Sequence, residues 1–410
     1  MPERRPLRVL VFDLLCVVPY YTGYLCRALR EEDAGAARTS VTLASVTYHL
    51  DPEWFNRVGV ANHAALDGPR WFRPPHHLVR KVWKFGEYFV NLTACAGGLV
   101  FRRPDILHVQ FFELMLHGLP FELWLMRLAR KLGIRIVYTA HDVMPHDGGQ
   151  VNEETLRRAY HLCHAVIAHD TSAQERLIRD FGVQAASIQV IPHGPLFDEP
   201  PGTREQERRR LGVAADTCVV LYHGILRSYK GIPFLLDAWK EVQSRKPNAL
   251  LRIAGTGSLA LRDEVRQKVK ELGLEQAVCL DLRFLTVQEL RDALDASDVL
   301  VYPYREITTS GALMTGINYG KALVATRLPA FEQMLRDEDN ALLVAYPDVP
   351  ALAGALMRLI DDRPLRQRLG HAPRQADRQP VGWPEIARRT LNCYEAVVKG
   401  SGSSDPACPD

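Results

Sequence analysis

Short runs of consecutive apolar, often β-branched residues alternate along this chain with longer segments whose apolar positions recur at helical spacing. The first series of runs is Leu7–Phe12, Val41–Val46, Ile106–Phe111, Arg135–Ala140, Ala165–His169 and Ile188–Pro192. A second series follows at Cys218–Tyr222, Ala249–Ala254, Val278–Leu282, Val299–Tyr302, Ala322–Thr326 and Ala341–Val344. Stretches such as Val-Leu-Val-Phe and Cys-Val-Val-Leu-Tyr are apolar at almost every position. That is the pattern of strands covered on both faces, as in parallel sheets flanked by helices. Helical spacing between them predicts helices over Pro120–Leu132, Ala173–Asp180, Pro233–Gln243, Leu259–Leu272 and Val287–Ala296. Alternation of this kind predicts an α/β protein built from βαβ units and doubly wound sheets.

Two series of strands predict two such domains, over residues 1–195 and 196–380. The stretch Gly194–Gly202 holds three prolines and two glycines in nine residues, which opposes regular structure and suits a linker. The charged segment Arg204–Arg210 reads as a solvated helix. Apolar residues at Trp383, Ile386, Ala387, Leu391, Tyr394 and Val397 predict a one-faced helix within residues 381–399. The Gly/Ser/Pro-rich residues 400–410 read as a disordered tail.

Composition narrows the class. With 51 basic and 48 acidic side chains the net charge is +3, which excludes a dedicated nucleic-acid coat and an acidic tail protein. No nucleic-acid partner is expected. The longest uncharged apolar runs, such as Ala94–Phe101, fall well short of the roughly 18 residues that span a bilayer. The first residues pass directly into a strand-like run, so no signal peptide is expected. Eight cysteines without a Cys-x-x-Cys pair read as reduced thiols of a cytoplasmic protein.

In doubly wound folds ligands bind at the carboxyl ends of strands, so the residues after each strand carry the chemistry. After Cys218–Tyr222 comes His-Gly-Ile-Leu-Arg-Ser-Tyr-Lys-Gly, in which Gly224 permits a sharp turn and Arg227 and Lys230 precede a helix start. Two cations beside a helix N-terminus suit a diphosphate. After Ala249–Ala254, Gly255 and Gly257 form a Gly-x-Gly turn. After Val299–Tyr302, Thr308, Thr309 and Ser310 are helix-capping residues and Gly311 allows close backbone approach. Parallel strands bring these three loops to one edge, and together they point to a nucleotide diphosphate. Each also has a plainer structural reading: solvated loop cations, a tight turn, a simple cap.

The segments HGILRSYKG, LRIAGTGS, SDVLVYPYREITTSGAL and YGKALVATRLPAF, in this order, resemble the C-terminal domain of glycosyltransferase family 4. The first half is similar more weakly, through VPYYTGYLCRAL, DILHVQF, RIVYTAHDVMPHD, AVIAHD and VIPHG. The resemblance covers residues 7–398. It implies a GT-B fold, two Rossmann-like domains facing across a cleft. It also implies a nucleotide-sugar donor held by the second domain, an acceptor held by the first, and a C-terminal helix returning to the first. By resemblance, Arg227 and Lys230 neutralise the donor diphosphate. Thr309, Ser310 and Gly311 belong to the loop that holds the distal phosphate and faces the sugar. His141 lies close to the transferred sugar, and Gly23 falls in the first loop, near the donor phosphates. Many members carry two glutamates eight positions apart; here Glu306 is present, while the second place falls at Met314 or, aligned on Gly320, at Thr315. The sugar and ribose are then read differently, and the base by contacts around Arg283–Thr286. The implied reaction retains anomeric configuration. It transfers a sugar from a UDP- or GDP-sugar to a glycan or lipid-linked glycan, as in bacterial cell-surface polysaccharide or glycolipid synthesis. A sugar-nucleotide epimerase or hydrolase of similar shape and a non-catalytic sugar-nucleotide-binding protein are the alternatives.

No cofactor and no tightly bound metal are expected. Asp337-Glu-Asp339 matches Asp-x-Asp but reads as a solvated turn, and the histidines within His141–Asp170 lack metal-motif spacing. The segment Trp71–Val90 interleaves Arg73, Arg80, Lys81 and Lys84 with Trp71, Phe72, Trp83, Phe85 and Phe89. Besides an ordinary helix with a basic outer face, this composition suits peripheral contact with anionic lipid on the inner face of the plasma membrane.

Overall fold

A computed structural model of the protein describes residues 5–33, 39–67, 77–111, 113–116, 119–144, 153–195, 204–210, 212–214, 216–307, 310–371 and 381–400. The chain divides into two compact units, residues 1–194 with 381–410, and residues 195–380.

The first unit runs β1 (Leu7–Phe12), α1 (Pro19–Asp33), β2 (Thr39–Ala44), α2 (Trp54–Arg57), β3 (Asn62–His63), α3 (His77–Arg102), β4 (Ile106–Val109), α4 (Glu113–Leu116), α5 (Phe121–Lys131), β5 (Arg135–Ala140), α6 (Glu153–Leu162), β6 (Ala165–Ala168), α7 (Thr171–Phe181) and β7 (Ile188–Val190). The strands form one sheet in the order β3-β2-β1-β4-β5-β6-β7. Every pairing is parallel, and the order reverses between β1 and β4. Several predicted strands end earlier than their apolar runs, because the last residues leave the sheet as loops: Gln110 follows β4, His169 follows β6, and Val46 donates to Leu14 O beyond β2.

The second unit runs α8 (Arg204–Arg210), β8 (Cys218–His223), α9 (Ile232–Arg245), β9 (Ala249–Ala254), α10 (Leu259–Glu271), β10 (Val278–Asp281), α11 (Val287–Ala296), β11 (Val299–Tyr302), α12 (Gly311–Asn318), β12 (Ala322–Thr326), α13 (Pro329–Glu332), β13 (Leu342–Val344), α14 (Val349–Asp361) and α15 (Arg363–Gly370). Its parallel sheet has the order β10-β9-β8-β11-β12-β13, reversing between β8 and β11. β8 and β11 are buried at every position, which their unbroken apolar runs require.

The last helix, α16 (Trp383–Lys399), packs on α1 and β5 of the first unit. Trp383 stacks on Tyr24 at 5.5 Å and meets the edge of Tyr21 at 5.2 Å. Gly194 makes room for it: a β-carbon there would lie 2.5 Å from the indole. Further along, Tyr394 reaches His108 Nδ1 at 2.6 Å. The segment 401–410, expected to be disordered, lies outside the described residues.

α8 is not merely a solvated helix. Arg208 is buried, and its guanidinium ties Ala296 O, Ala214 O, Thr217 O and Asp298 together. Burial alone would raise the Asp298 carboxyl. The Val219 N–H and the guanidinium groups of Arg204 and Arg208 outweigh it and hold the carboxyl below its ordinary range.

Candidate functional site

The loops after β8, β9 and β11 interlock at the carboxyl edge of the second sheet. Gly224 N donates to Ala254 O at 3.0 Å, and Leu226 N to Thr256 O at 2.7 Å. Gly255 (φ +145°) lies against the Gly224 carbonyl, where a β-carbon would come within 2.0 Å of the oxygen. Gly257 presses on Leu226, at 2.7 Å for the corresponding β-carbon. The two glycines of the Gly-x-Gly turn are therefore there for close backbone packing, which sets the path of the loop carrying Arg227 and Lys230. Arg305 N donates to Tyr229 O at 2.7 Å and fastens the third loop to the first.

Lys230 is the buried cation of this edge. It ends a short 3₁₀ turn, Ser228–Lys230, just before α9. Its Nζ lies 5.1 Å from the centroid of the Tyr304 ring. A β-carbon added to Gly224 would sit 3.2 Å from Nζ and 3.6 Å from Ala312 Cβ, so the ammonium lies beside Gly224 and the first turn of α12. Burial, with Arg227 acting in the same direction, lowers its pKa to about 8. Among the described residues no carboxylate pairs with it. Arg227 itself is exposed.

α12 begins at this point. Ser310 caps it, accepting from Leu313 N at 3.2 Å, and Gly311 is its first residue. Buried Tyr302 holds the helix to the sheet: its hydroxyl donates to Ala312 O at 3.0 Å and meets His223 Nε2 at 2.9 Å. Gly316 makes that possible, since a β-carbon there would fall 2.1 Å from the Tyr302 hydroxyl. Burial lowers the His223 pKa to about 3, so this partner is neutral. The hydrogen-bonded His223–Tyr302 pair escaped sequence reading: His223, read as the first residue of the loop, is the last residue of β8, and Tyr302 looked like an ordinary strand residue.

The structure thus gathers Gly224, Lys230, Gly255, Gly257, Ser310 and Gly311 at one edge. Thr309 lies outside the described residues. Thr315 is buried within α12 and spends its hydroxyl on Gly311 O at 2.9 Å. Glu306 is exposed and pairs with its neighbour Arg305 at 2.9 Å. Arg283 is held between Asp281 at 2.9 Å and Glu289 at 2.8 Å.

In the first unit Gly23 is not in a loop, as the resemblance implied, but inside α1. Its missing side chain admits Trp54, whose Nε1 would lie 2.6 Å from a β-carbon and donates instead to Pro19 O. The preceding loop is organised by buried Asp13, which accepts from Val17 N at 2.9 Å and from the Thr22 hydroxyl at 3.0 Å. His141 stands just past β5 with Gln110 Oε1 at 3.2 Å from Nε2 and His169 Nε2 at 3.2 Å from Nδ1. Both of its ring nitrogens thus face side chains of the same unit. His164 follows α6 and accepts from Ile136 N at 2.9 Å. Asp337-Glu-Asp339 is a turn spent on ion pairs, Asp337 with Arg327 at 2.5 Å and Glu338 with Arg358 at 2.6 Å.

α3 begins inside the predicted Trp71–Val90 segment and continues to Arg102; Trp71–His76 lie outside the described residues. Its exposed side chains include Val82, Phe85, Phe89 and Val90. Phe89 meets Phe121 of α5, which meets Trp124, so one apolar face spans both helices. Val82 is 66% and Trp124 54% exposed, far more than a helix face packed on its own unit would leave. Among the described residues no helix is long and apolar enough to cross a membrane.

Two family models match the chain, one described as Glycosyltransferase Family 4 over residues 18–195 and one as Glycosyl transferases group 1 over residues 217–362. D-inositol 3-phosphate glycosyltransferase of Pseudarthrobacter chlorophenolicus is 27% identical over 380 residues, covering 88% of this chain and 85% of its own. The enzyme of the same name from Corynebacterium diphtheriae is 28% identical over 318 residues, covering 70% and 71%. The crystal structure of Anabaena Alr3699/HepE in complex with UDP-glucose covers 95% of this chain and 100% of its own, with a TM-score of 0.72 at 17% identity, and so shares its fold.

Proposed function

The chain is a glycosyltransferase of the family 4 type with the two parallel-sheet α/β domains of the GT-B fold, and from this we propose that it moves a sugar from a UDP-sugar to a hydroxyl of a glycan or lipid-linked glycan acceptor, with retention of anomeric configuration. The observation that carries the reading is the buried ammonium of Lys230, which pairs with no carboxylate among the described residues and lies beside Gly224 and the start of α12. A buried cation in that position is stabilised by an anion, and free N–H groups of a helix start favour a phosphate. HepE binds UDP-glucose on the same fold, which supports a uridine donor.

In the reaction the bond between the anomeric carbon and the diphosphate oxygen breaks while the acceptor oxygen bonds to that carbon on the same face. The acceptor's proton passes to the departing phosphate. Negative charge grows on the diphosphate as it leaves, and Lys230, Arg227 and the α12 N–H groups stabilise it there. No protein nucleophile is required. The protein's own cations neutralise the diphosphate, so turnover is expected to be unchanged when Mg²⁺ is added to enzyme saturated with donor. A requirement for Mg²⁺ would return attention to Asp337 and Asp339. The test of the whole reading is UDP release from UDP-sugars with and without acceptor extracts. Release that depends on acceptor supports transfer; release without acceptor points to hydrolysis or epimerisation, and binding without release to a non-catalytic protein.

The apolar face of α3 and α5 supports a lipid-linked acceptor on the inner face of the plasma membrane, with the enzyme cytoplasmic and peripheral. Aromatic and aliphatic side chains insert shallowly, and basic residues near an anionic surface contribute about 1 kcal/mol each. Wild-type protein is expected to co-sediment with anionic vesicles at low salt, and Val82→Glu/Phe89→Glu to stay in solution. Wild type remaining in the supernatant would make a soluble acceptor the better reading.

A further inference from the structure

Three neighbouring parallel strands of the first unit each deliver a histidine just past their carboxyl ends. His141 follows β5, His169 follows β6 and His193 lies three residues beyond β7. One ring nitrogen from each lies within 4.8 Å of the other two. We propose that His141, His169 and His193 form a binding site for a divalent transition-metal ion of the zinc class.

The argument turns on where the ring protons sit. His169 Nδ1 is 3.1 Å from Ile191 O, and His193 Nδ1 is 2.6 Å from Gly194 O. A carbonyl oxygen only accepts, so each Nδ1 carries its proton and each Nε2 is bare. Gln110 decides the third ring. Its amide nitrogen is 3.1 Å from His108 Nε2 and its amide oxygen 3.2 Å from His141 Nε2. With the Gln110 amide in this orientation His141 donates from Nε2 and leaves Nδ1 bare, the tautomer a ligating His141 requires. The bare nitrogens of His141 and His169 are 3.2 Å apart, where two lone pairs repel unless a positive charge lies between them. One shared proton would settle that pair and leave the third histidine aside; an ion settles all three. On a tetrahedral ion with bonds of about 2.0–2.1 Å, ligand nitrogens stand about 3.3 Å apart.

The surroundings match a metal site in a second way. Each histidine gives its other N–H to a carbonyl oxygen, the arrangement that fixes tautomer and ring angle in ligating histidines. Tyr21 walls one side, its ring centroid 4.6 Å from that of His141, 4.9 Å from His193 and 5.5 Å from His169. Burial lowers the pKa of all three imidazoles, which keeps them in the neutral form that ligates. Three imidazoles without an oxygen ligand select zinc, cobalt or copper over magnesium or calcium. Three protein ligands leave a further position for water or a substrate oxygen. The site was not legible in the sequence because His193 lies 24 residues beyond His169, outside the histidine-rich segment His141–Asp170, and only the strand order brings it in.

The test needs no sugar transfer, so it stands or falls apart from the proposed reaction. Full-length protein is stripped with chelator, dialysed and titrated with Co²⁺. One equivalent is expected to bind, with the visible absorption of four- or five-coordinate cobalt, and Zn²⁺ to displace it. His141→Gln and His193→Gln should each abolish the spectrum. Gln110→Leu, which removes the acceptor at His141 Nε2 but none of the three ligands, should weaken binding about 10–100-fold. Melting followed by circular dichroism checks that each metal-free variant is folded. Absence of a cobalt spectrum in wild type, or equal binding by the folded variants, would overturn the proposal. So would a shared-proton resonance between His141 and His169 that persists in excess Zn²⁺.

Discussion

Lys230→Ala is expected to lower turnover about 10²- to 10³-fold, the range for removing one donor aimed at developing negative charge. The side chain is buried beside Gly224 and the α12 start, so little water replaces it when it is cut away. Arg227→Ala should cost less, because Arg227 is exposed and its charge is screened; the double variant should be at least as slow as Lys230→Ala. Burial also gives Lys230 a pH signature. Its pKa is lowered to about 8 from 10.5. Between these values the folded state binds fewer protons than the unfolded chain, so this group makes stability rise with pH across that window. Ligand binding runs the other way. A diphosphate favours the protonated amine, so affinity for UDP should be level below pH 8 and fall above it, by up to tenfold per pH unit. Kinetics with saturating acceptor, and UDP titrations over pH 7–10, check both. Wild-type turnover in the double variant would remove the diphosphate from this edge.

Gly255→Ala is expected to destabilise the second unit by about 4 kcal/mol or more, at the far end of single-substitution effects. A methyl there would stand 2.0 Å from the Gly224 carbonyl oxygen, and φ is +145°, a conformation strained for any L side chain. Neither atom belongs to a flexible side chain that could give way. Gly273→Ala is the control: it shares a positive φ (+68°) but meets nothing within 4 Å, so only backbone strain of about 1 kcal/mol is expected. Denaturant unfolding compares the two. Equal costs would mean that the loops after β8 and β9 do not interlock as described.

The doubly wound character of both units could be read from the chain, because strands buried on both faces leave long apolar runs and their crossover helices leave a 3.6-residue period. The strand ends could not. Gln110 and His169 sit in or beside apolar runs yet lie just past the ends of β4 and β6. The charge pattern of Arg204–Arg210 suggested solvent, whereas Arg208 is buried because Asp298 and three carbonyls wait for it. Gly23 looked like a loop glycine and is a packing glycine, since nothing local announces that Trp54 arrives from 31 residues away. Lys230 was legible as a candidate phosphate ligand from its place after a strand and before a helix. Its burial, and hence its shifted pKa, depends on Tyr304 from a different loop.

The central claim is that the second unit holds a nucleotide diphosphate on the buried ammonium of Lys230. The most direct measurement is calorimetric titration of UDP at pH 8.5, in two buffers of different ionisation enthalpy, for wild type and Lys230→Met. With a free-state pKa of about 8, the account predicts uptake of between half and one proton per UDP bound by wild type. It predicts weaker binding with no such uptake by the variant. Equal affinity for both proteins, or no proton uptake by wild type, would contradict it.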